Sequence, residues 1–287
     1  MQTLGFIGTG VMGKSMAANL QKAGYPLNIY TRTKEKAKNL LANGAKWKDS
    51  VAELATSSDV IITIVGYPKD VEEIYFGSEG ILENSKNGTT VIDMTTSKPS
   101  LAAEIYEKAK LKGIIALDAP ISGGDIGAKN GSLAIMVGGE EPAFETSLPI
   151  LNVLGENIVY QGEAGAGQHT KLANQITIAS NMIGVCEAIM YAKKAGLNPE
   201  TVLKSIRAGA AGSWSLSNLA PRMIKGDYAP GFFVKHFIKD MKIALESAHE
   251  LGLTTPGLAL SLELYEELAE KGGNDSGTQA LIKFFEG

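Results

Sequence analysis

Cysteine is nearly absent from this 287-residue chain, which carries one, Cys186. A lone thiol cannot close an internal disulfide or build a cysteine-based metal site, so a reducing compartment is expected, with the cytoplasm as the default location. Histidine is scarce as well. The three residues, His169, His236 and His249, show no paired ligand spacing, and no metal is expected. Positive charge is not in excess, with 27 Lys and Arg against 31 Asp and Glu and a net charge of -4. Nucleic acid and anionic membrane both select concentrated positive charge and are not expected partners. No apolar run approaches the roughly 20 residues of a membrane span. Met1-Gln2-Thr3 leads straight into a strand pattern without a charged n-region or cleavable apolar segment, so no signal peptide is expected.

What the chain has is glycine in a particular order. Leu4-Gly5-Phe6-Ile7 reads as a buried strand and runs into Gly8-Thr9-Gly10-Val11-Met12-Gly13, the spacing G-x-G-x-x-G. Gly8 allows the tight turn out of the strand, Gly10 lets backbone approach a pyrophosphate, and Gly13 lets the next helix pack closely on the sheet. Met12, Met16, Ala17, Leu20 and Ala23 then recur at helical spacing up to Gly24-Tyr25-Pro26. Phosphate oxygens are expected at that helix N-terminus.

Further strands are expected at Leu27-Asn28-Ile29-Tyr30, at the all-apolar run Val60-Ile61-Ile62-Thr63-Ile64-Val65, and over 90–93, 114–118 and 133–137, with helical patterns between them. Alternation of this kind predicts a doubly wound parallel α/β sheet. Beyond about Gly162 the pattern becomes helical throughout. Residues 168–195 form one long helix-compatible run, and later breaks fall at Asn198-Pro199, Gly209 to Gly212, Pro221, Pro230 and Pro256. The expected organisation is a dinucleotide-binding domain over 1–163 and an all-helical domain over 164–287, joined through the long helix.

NAD-binding folds usually place an acid about 20 residues beyond the glycines to hold the ribose hydroxyls. Here the second strand ends in Thr31-Arg32-Thr33-Lys34, with no acid. A guanidinium beside a hydroxyl suits a 2′-phosphate, so NADP(H) is expected over NAD(H). Reduction of a carbonyl also needs a proton donor. Tyr106 with Lys110 and Tyr30 with Lys34 have the Tyr-x-x-x-Lys spacing of short-chain reductases, but Tyr30 lies in the cofactor strand and Tyr106 in a charged helix. Lys171 is the better candidate. It follows Gly165-x-Gly167 and is expected in the first turn of the long helix, with Asn174 and Gln175 at i+3 and i+4 on its face. Spacing alone leaves open a solvated surface lysine. Asp118-Ala119-Pro120-Ile121-Ser122-Gly123-Gly124 follows a strand and offers a hydroxyl and backbone N–H groups to a substrate carboxylate. A loop that merely needs positive φ remains an equal reading.

Together and in this order, these stretches resemble the β-hydroxyacid dehydrogenase family, which includes 3-hydroxyisobutyrate dehydrogenase, tartronate semialdehyde reductase, and the glyoxylate and succinic semialdehyde reductases. The resemblance spans nearly the whole chain. Gly8 to Gly13 look like its cofactor signature, Asp118 to Gly124 like its substrate signature, Gly165-x-Gly167-x-x-x-Lys171 like its catalytic one, and Lys239-Asp240 like a later cofactor-proximal one. It implies that Lys171 is the acid/base and that Ser122, Gly123 and Gly124 hold the substrate carboxylate. Gly8, Thr9, Gly10, Val11, Met12, Gly13, Arg32, Thr33, Thr96 and Lys239 would bind the cofactor. Asn174, Gln175, Phe232 and Asp240 would bind substrate. One departure is that Gln175 occupies the position where the family usually has Asn, with Asn174 one residue earlier. The expected activity is NADPH-dependent reduction of a small aldehyde acid. The alternatives are oxidation by a 3-hydroxyisobutyrate-type dehydrogenase and, from another class, a non-catalytic NADP-binding sensor. Phe232, Phe233, Phe237 and the Leu-rich helices from Leu251 onward lead to the expectation of a homo-oligomer, dimer or tetramer.

Overall fold

β1, Leu4–Ile7, is buried along its whole length, with Leu4 and Phe6 in one apolar cluster and Ile7 in another. That alternation is the period of two of a strand covered on both faces. The computed structural model describes residues 2–286. Among them, nine strands form one sheet: β1, β2 (Leu27–Tyr30), β3 (Lys46–Trp47), β4 (Val60–Thr63), β5 (Thr90–Asp93), β6 (Ile115–Asp118), β7 (Ile121–Ser122), β8 (Leu133–Gly138) and β9 (Gly155–Gly162). Their order is β3-β2-β1-β4-β5-β6-β8-β7, with β9 also paired to β8. β1, β2, β4, β5 and β6 run parallel, so their carboxyl ends share one edge.

The expected doubly wound sheet is present, with a difference beyond β6. β8 pairs antiparallel to both β6 and β7, and β9 then runs parallel to β8 with two register shifts. β7 and β9 were not anticipated, for a physical reason. β7 is two residues long, and β9, Gly-Glu-Asn-Ile-Val-Tyr-Gln-Gly, is half exposed and lacks an apolar run. Val60 and Ile62 face the cluster that holds Leu4, whereas Ile61 faces the one that holds Ile7 and Val91. Each such fully buried aliphatic side chain contributes about 1.5–3 kcal/mol.

The described residues form two compact units, one ending at Lys171 and the other beginning at Leu172. The helix Ala166–Lys194 starts in the first and continues into the second. The second unit is helical. Pro199, Pro221 and Pro256 each stand in the first turn of a helix (Pro199–Ile206, Ala220–Ile224 and Pro256–Leu268), where proline's fixed φ and missing N–H cost nothing. Its core includes Met182, Val185, Cys186, Phe237, Met241 and Tyr265. The Phe237 and Tyr265 rings meet edge-on at 5.1 Å, and the Tyr265 hydroxyl donates to the Thr278 carbonyl at 2.8 Å. No helix among the described residues is long and apolar enough to cross a membrane.

Candidate active site

The turn after β1 is built from backbone. Gly8 has φ of +99°, and a Cβ there would overlap the Ile64 carbonyl oxygen. A Cβ at Gly13 would overlap the Gly8 carbonyl oxygen and meet Ile64 Cγ2 at 2.9 Å, so the helix Gly13–Lys22 sits against the strand end only because no side chain intervenes. Gly10 faces open space, with nothing within 4 Å of where its Cβ would be. Thr9 is buried, and its Oγ1 is a polar atom without a hydrogen-bond partner. Val11 is exposed and Met12 half-buried at the rim. An open glycine, a buried unpaired hydroxyl and a helix start together fit a pyrophosphate cradle.

Arg32 and Thr33 follow β2, both exposed, with Thr33 leading into the short 3-10 turn Lys34–Ala37. Arg32 pairs through Nη1 with Asp70 Oδ1 at 3.1 Å. Asp70 also accepts the Tyr67 N–H at 3.0 Å at the start of the helix Pro68–Phe76. The Arg32 side chain remains 76% exposed and that of Asp70 16%, so the pair is open to solvent on the arginine side and of little stabilising value.

Farther along the same edge, long-range side-chain bonds replace glycine turns. Asp118, at the end of β6, accepts the N–H of Gly165 through Oδ1 and that of Gln168 through Oδ2, both at 2.8 Å. It thus caps the long helix from outside, taking up N–H groups that a helix start leaves without an internal partner. Burial pushes the Asp118 carboxyl up, and these two N–H bonds pull it down. Asp93, at the end of β5, accepts Thr63 Oγ1–H at 2.8 Å and the Thr95 N–H at 3.1 Å. Burial is the main reason its carboxyl is pushed up to about 6; the bonds from Thr95 and Thr63 oppose it, and the charge of Asp118 adds to it.

The glycines ahead of Lys171 now have a physical reason. Gly165 has φ of +92°, and a Cβ at Gly167 would overlap the Met136 carbonyl oxygen and lie 2.6 Å from that of Asp118. Lys171 is the sixth residue of the helix Ala166–Lys194, in its second turn rather than the first, because the helix begins immediately after Gly165. It is buried, at 6% exposure, which excludes the solvated surface lysine. Gln168, one turn earlier, is fully buried. Its Nε2 donates to the Thr95 carbonyl at 2.7 Å, and its Oε1 accepts the Ser97 N–H at 2.9 Å. Those two groups bracket Thr96.

Ser122 ends β7 half-buried, and Gly123 and Gly124 follow with φ of +131° and +64°. Two consecutive residues in that region require glycine. A Cβ at Gly123 would also press on Leu133 Cδ2 at 3.2 Å.

The remaining expected residues lie in the second unit. The Asn174 Nδ2 group donates to Gln175 Oε1 at 2.8 Å, and Gln175 Nε2 donates to Asp240 Oδ2 at 2.7 Å. Asp240 Oδ1 pairs with Lys239 Nζ at 2.7 Å. Gln175 and Asp240 are buried, so the amide at the position where the resemblance leads one to expect Asn reaches a buried carboxylate. Phe232 is half-buried and packs on the Phe237 ring at 5.6 Å. Elsewhere, the Tyr106 hydroxyl donates to Glu140 at 2.6 Å and accepts from Lys110 at 3.2 Å, all on the exterior. The Glu140 bond raises the phenol's pKa, the opposite of activation. Among the described residues no group of His, Cys, Asp and Glu could hold a metal.

Gln168 and Asp93 were not singled out from the sequence. Their partners in this network lie up to 73 residues away for Gln168 and up to 30 for Asp93, and no local spacing announces them.

Comparison with known proteins finds similar chains over the whole length. Residues 3–162 match the NAD-binding domain of 6-phosphogluconate dehydrogenase, and residues 165–285 match the NAD-binding domain of NADP-dependent 3-hydroxyisobutyrate dehydrogenase. An uncharacterized oxidoreductase of Bacillus subtilis (strain 168) is 64% identical over 284 residues, covering 99% of both chains. The 2-hydroxy-3-oxopropionate reductase of Escherichia coli (strain K12) is 40% identical over 283 residues, 99% of this chain and 97% of that one. A Mycobacterium tuberculosis 3-hydroxyisobutyrate dehydrogenase structure with L-serine superimposes with a TM-score of 0.92 at 29% identity, covering 100% of each chain.

Proposed function

The chain belongs to the β-hydroxyacid dehydrogenase family of NAD(P)-dependent oxidoreductases, and from that premise we propose that it is an NADPH-dependent reductase of small aldehyde acids. The observation that carries the proposal is the burial of Lys171 one turn beyond the Asp118-capped start of its helix, on the edge where β1 presents the phosphate cradle. Gly8, Thr9, Gly10, Val11, Met12 and Gly13 would hold the pyrophosphate, and Arg32 and Thr33 would hold the 2′-phosphate, the end of β2 itself carrying no acid to favour a free ribose hydroxyl. By resemblance, Thr96 and Lys239 would be further contacts to the cofactor. When bound, NADPH supplies hydride to the aldehyde carbon.

Ser122, Gly123 and Gly124 receive the substrate carboxylate and fix the carbonyl's orientation. Lys171 Nζ gives its proton to the carbonyl oxygen as negative charge develops there, and takes one back when the hydroxy acid is oxidised. Asn174, Gln175, Phe232 and Asp240 carry the substrate-binding roles drawn from the resemblance. Self-association into a dimer or tetramer and a cytoplasmic location belong to the same reading.

A second reading is oxidation of a β-hydroxy acid, favoured by the similar Mycobacterium structure with L-serine. Both are tested by following NADPH and NADH oxidation with glyoxylate, succinic semialdehyde, tartronate semialdehyde and methylmalonate semialdehyde, and NADP+ and NAD+ reduction with L-serine and 3-hydroxyisobutyrate. The expected result is lysine-dependent NADPH oxidation by at least one aldehyde acid. Faster turnover of a hydroxy acid with NAD+ selects the second reading, and tight NADPH binding with no turnover on any of these acids selects a sensor.

A further inference from the structure

We infer that Gln168 is a positioning residue: it locks the turn bearing Thr96 to the helix bearing Lys171, and so sets where the cofactor-facing and proton-donating groups stand relative to one another. The inference rests on the reading above, in which Thr96 contacts the cofactor and Lys171 protonates the oxygen.

The geometry is specific. Thr95 to Ser97 is the segment that leaves β5, and its Thr95 carbonyl and Ser97 N–H both point at one primary amide. Donor meets acceptor at both ends, at 2.7 and 2.9 Å, as a neighbouring strand would provide. The residue between them, Thr96, is thereby held from both sides. Thr95 is tied in again through its own side chain, which accepts the Val65 N–H at 3.0 Å, and through its N–H to Asp93 at 3.1 Å.

Gln168 is equally fixed on its own helix, since its backbone N–H goes to Asp118. Lys171 stands at i+3, on the same face and about 4.5 Å farther along the axis. A slide of the helix start against the sheet edge would move Lys171 and break the Gln168 pair together. Misplacement of about 1 Å at a reacting centre costs on the order of 10²-fold in rate, so a clamp with no chemical role can still control kcat.

The test compares Gln168→Leu, which removes both bonds at similar volume, with Gln168→Glu, which keeps the acceptor for Ser97 and loses the donor to Thr95. Amide hydrogen exchange of residues 94–98 reads the clamp without catalysis. It is expected to rise at least tenfold in Gln168→Leu and also to rise in Gln168→Glu, whose carboxylate would meet the Thr95 carbonyl without a donor, with residues 4–13 unchanged. With the best aldehyde acid, kcat is expected to fall at least tenfold in Gln168→Leu. KM and the NADPH Kd, measured by fluorescence, should stay within threefold, and the isotope effect from NADPH deuterated at the transferred position should change. Unaltered exchange at 94–98, or a kcat within twofold of the parent, overturns the inference. If Gln168→Leu does not fold, Gln168→Glu alone decides it by the same two criteria. Lys171→Ala in parallel separates the two levels: normal turnover there removes the catalytic reading, while the exchange result still decides whether the clamp exists.

Discussion

The two ends of one sheet edge are built by opposite means. After β1 the chain turns on glycines whose value is the absence of a side chain, and what it offers is backbone and open space. After β5 and β6 the same edge is occupied by Asp93, Asp118 and Gln168, buried and bonded to groups tens of residues away. The first end is adaptable, suited to a ligand that brings its own charge. The second is rigid, suited to holding a lysine and a threonine in fixed places. Its cost is two carboxyl groups taken out of water, compensated by N–H and hydroxyl donors.

The comparison breaks most sharply at Lys171. If the rigid end exists to place this ammonium, Lys171→Ala lowers kcat by about 10²–10⁴-fold, the usual range for a lost general acid, while NADPH binding at the glycine end stays near parental. Stopped-flow rates and fluorescence titration on the same preparation check both halves. Equal losses of rate and NADPH affinity would mean that the two ends are not separate devices.

Asp118→Ala is next in size. It leaves the N–H groups of Gly165 and Gln168 without their acceptor in a buried setting, and an unmet buried donor costs about 1–3 kcal/mol. A loss of about 2–4 kcal/mol of stability is expected, smaller for Asp118→Asn, which keeps one acceptor. Denaturant melts of both variants followed by circular dichroism check the order, and an Asp118→Asn protein less stable than Asp118→Ala would contradict the capping role.

How much of this was legible follows the same divide. Glycine spacing after β1 states a backbone requirement within six residues, so the cradle could be read directly, and so could the burial of the all-apolar strand that begins at Val60, though not which of its residues faces which cluster. Gly165-x-Gly167 was legible as a pattern, but its cause, the close approach of the helix start to Met136 and Asp118, was not. The lysine's burial was not legible either, because spacing alone also fits a surface residue. The Gln168 clamp and the antiparallel β8 depend on groups that only the folded chain brings together. The Asn174-Gln175 order read as a departure from the family, and became intelligible once Gln175 was seen to reach Asp240.

Asp93 sharpens the comparison through pH. Folded, its carboxyl keeps a proton up to about 6, against 3.8 for the ordinary group. Between those values the folded chain binds more protons than the unfolded one, so this group's contribution to stability is greatest below about pH 4 and is lost as pH rises through about 6. The gap corresponds to about 3 kcal/mol at most. Asn at this position still accepts from Thr63 and Thr95 and has nothing to ionise. Asp93→Asn is therefore expected to match the parent near pH 4 and to exceed it by about 1–3 kcal/mol at pH 7.5. Parallel stability curves across that range would show that the carboxyl titrates alike in both states.

Arg32 is the smallest effect and lies at the adaptable end. Its side chain is mostly in water and pairs with the half-buried Asp70, so a 2′-phosphate competes with a single ion pair that is open to solvent on the arginine side and costs little to open. Arg32→Ala is expected to raise the NADPH Kd about tenfold, or about 1.4 kcal/mol, and to leave the NADH Kd within twofold. Asp70→Asn removes the competitor and should tighten NADPH binding by a few-fold, with its amide still able to accept the Tyr67 N–H. Because the arginine interaction is solvent-exposed, raising ionic strength should shrink the difference between NADPH and NADH. A salt-independent preference would place the discrimination away from Arg32, in groups shielded from water.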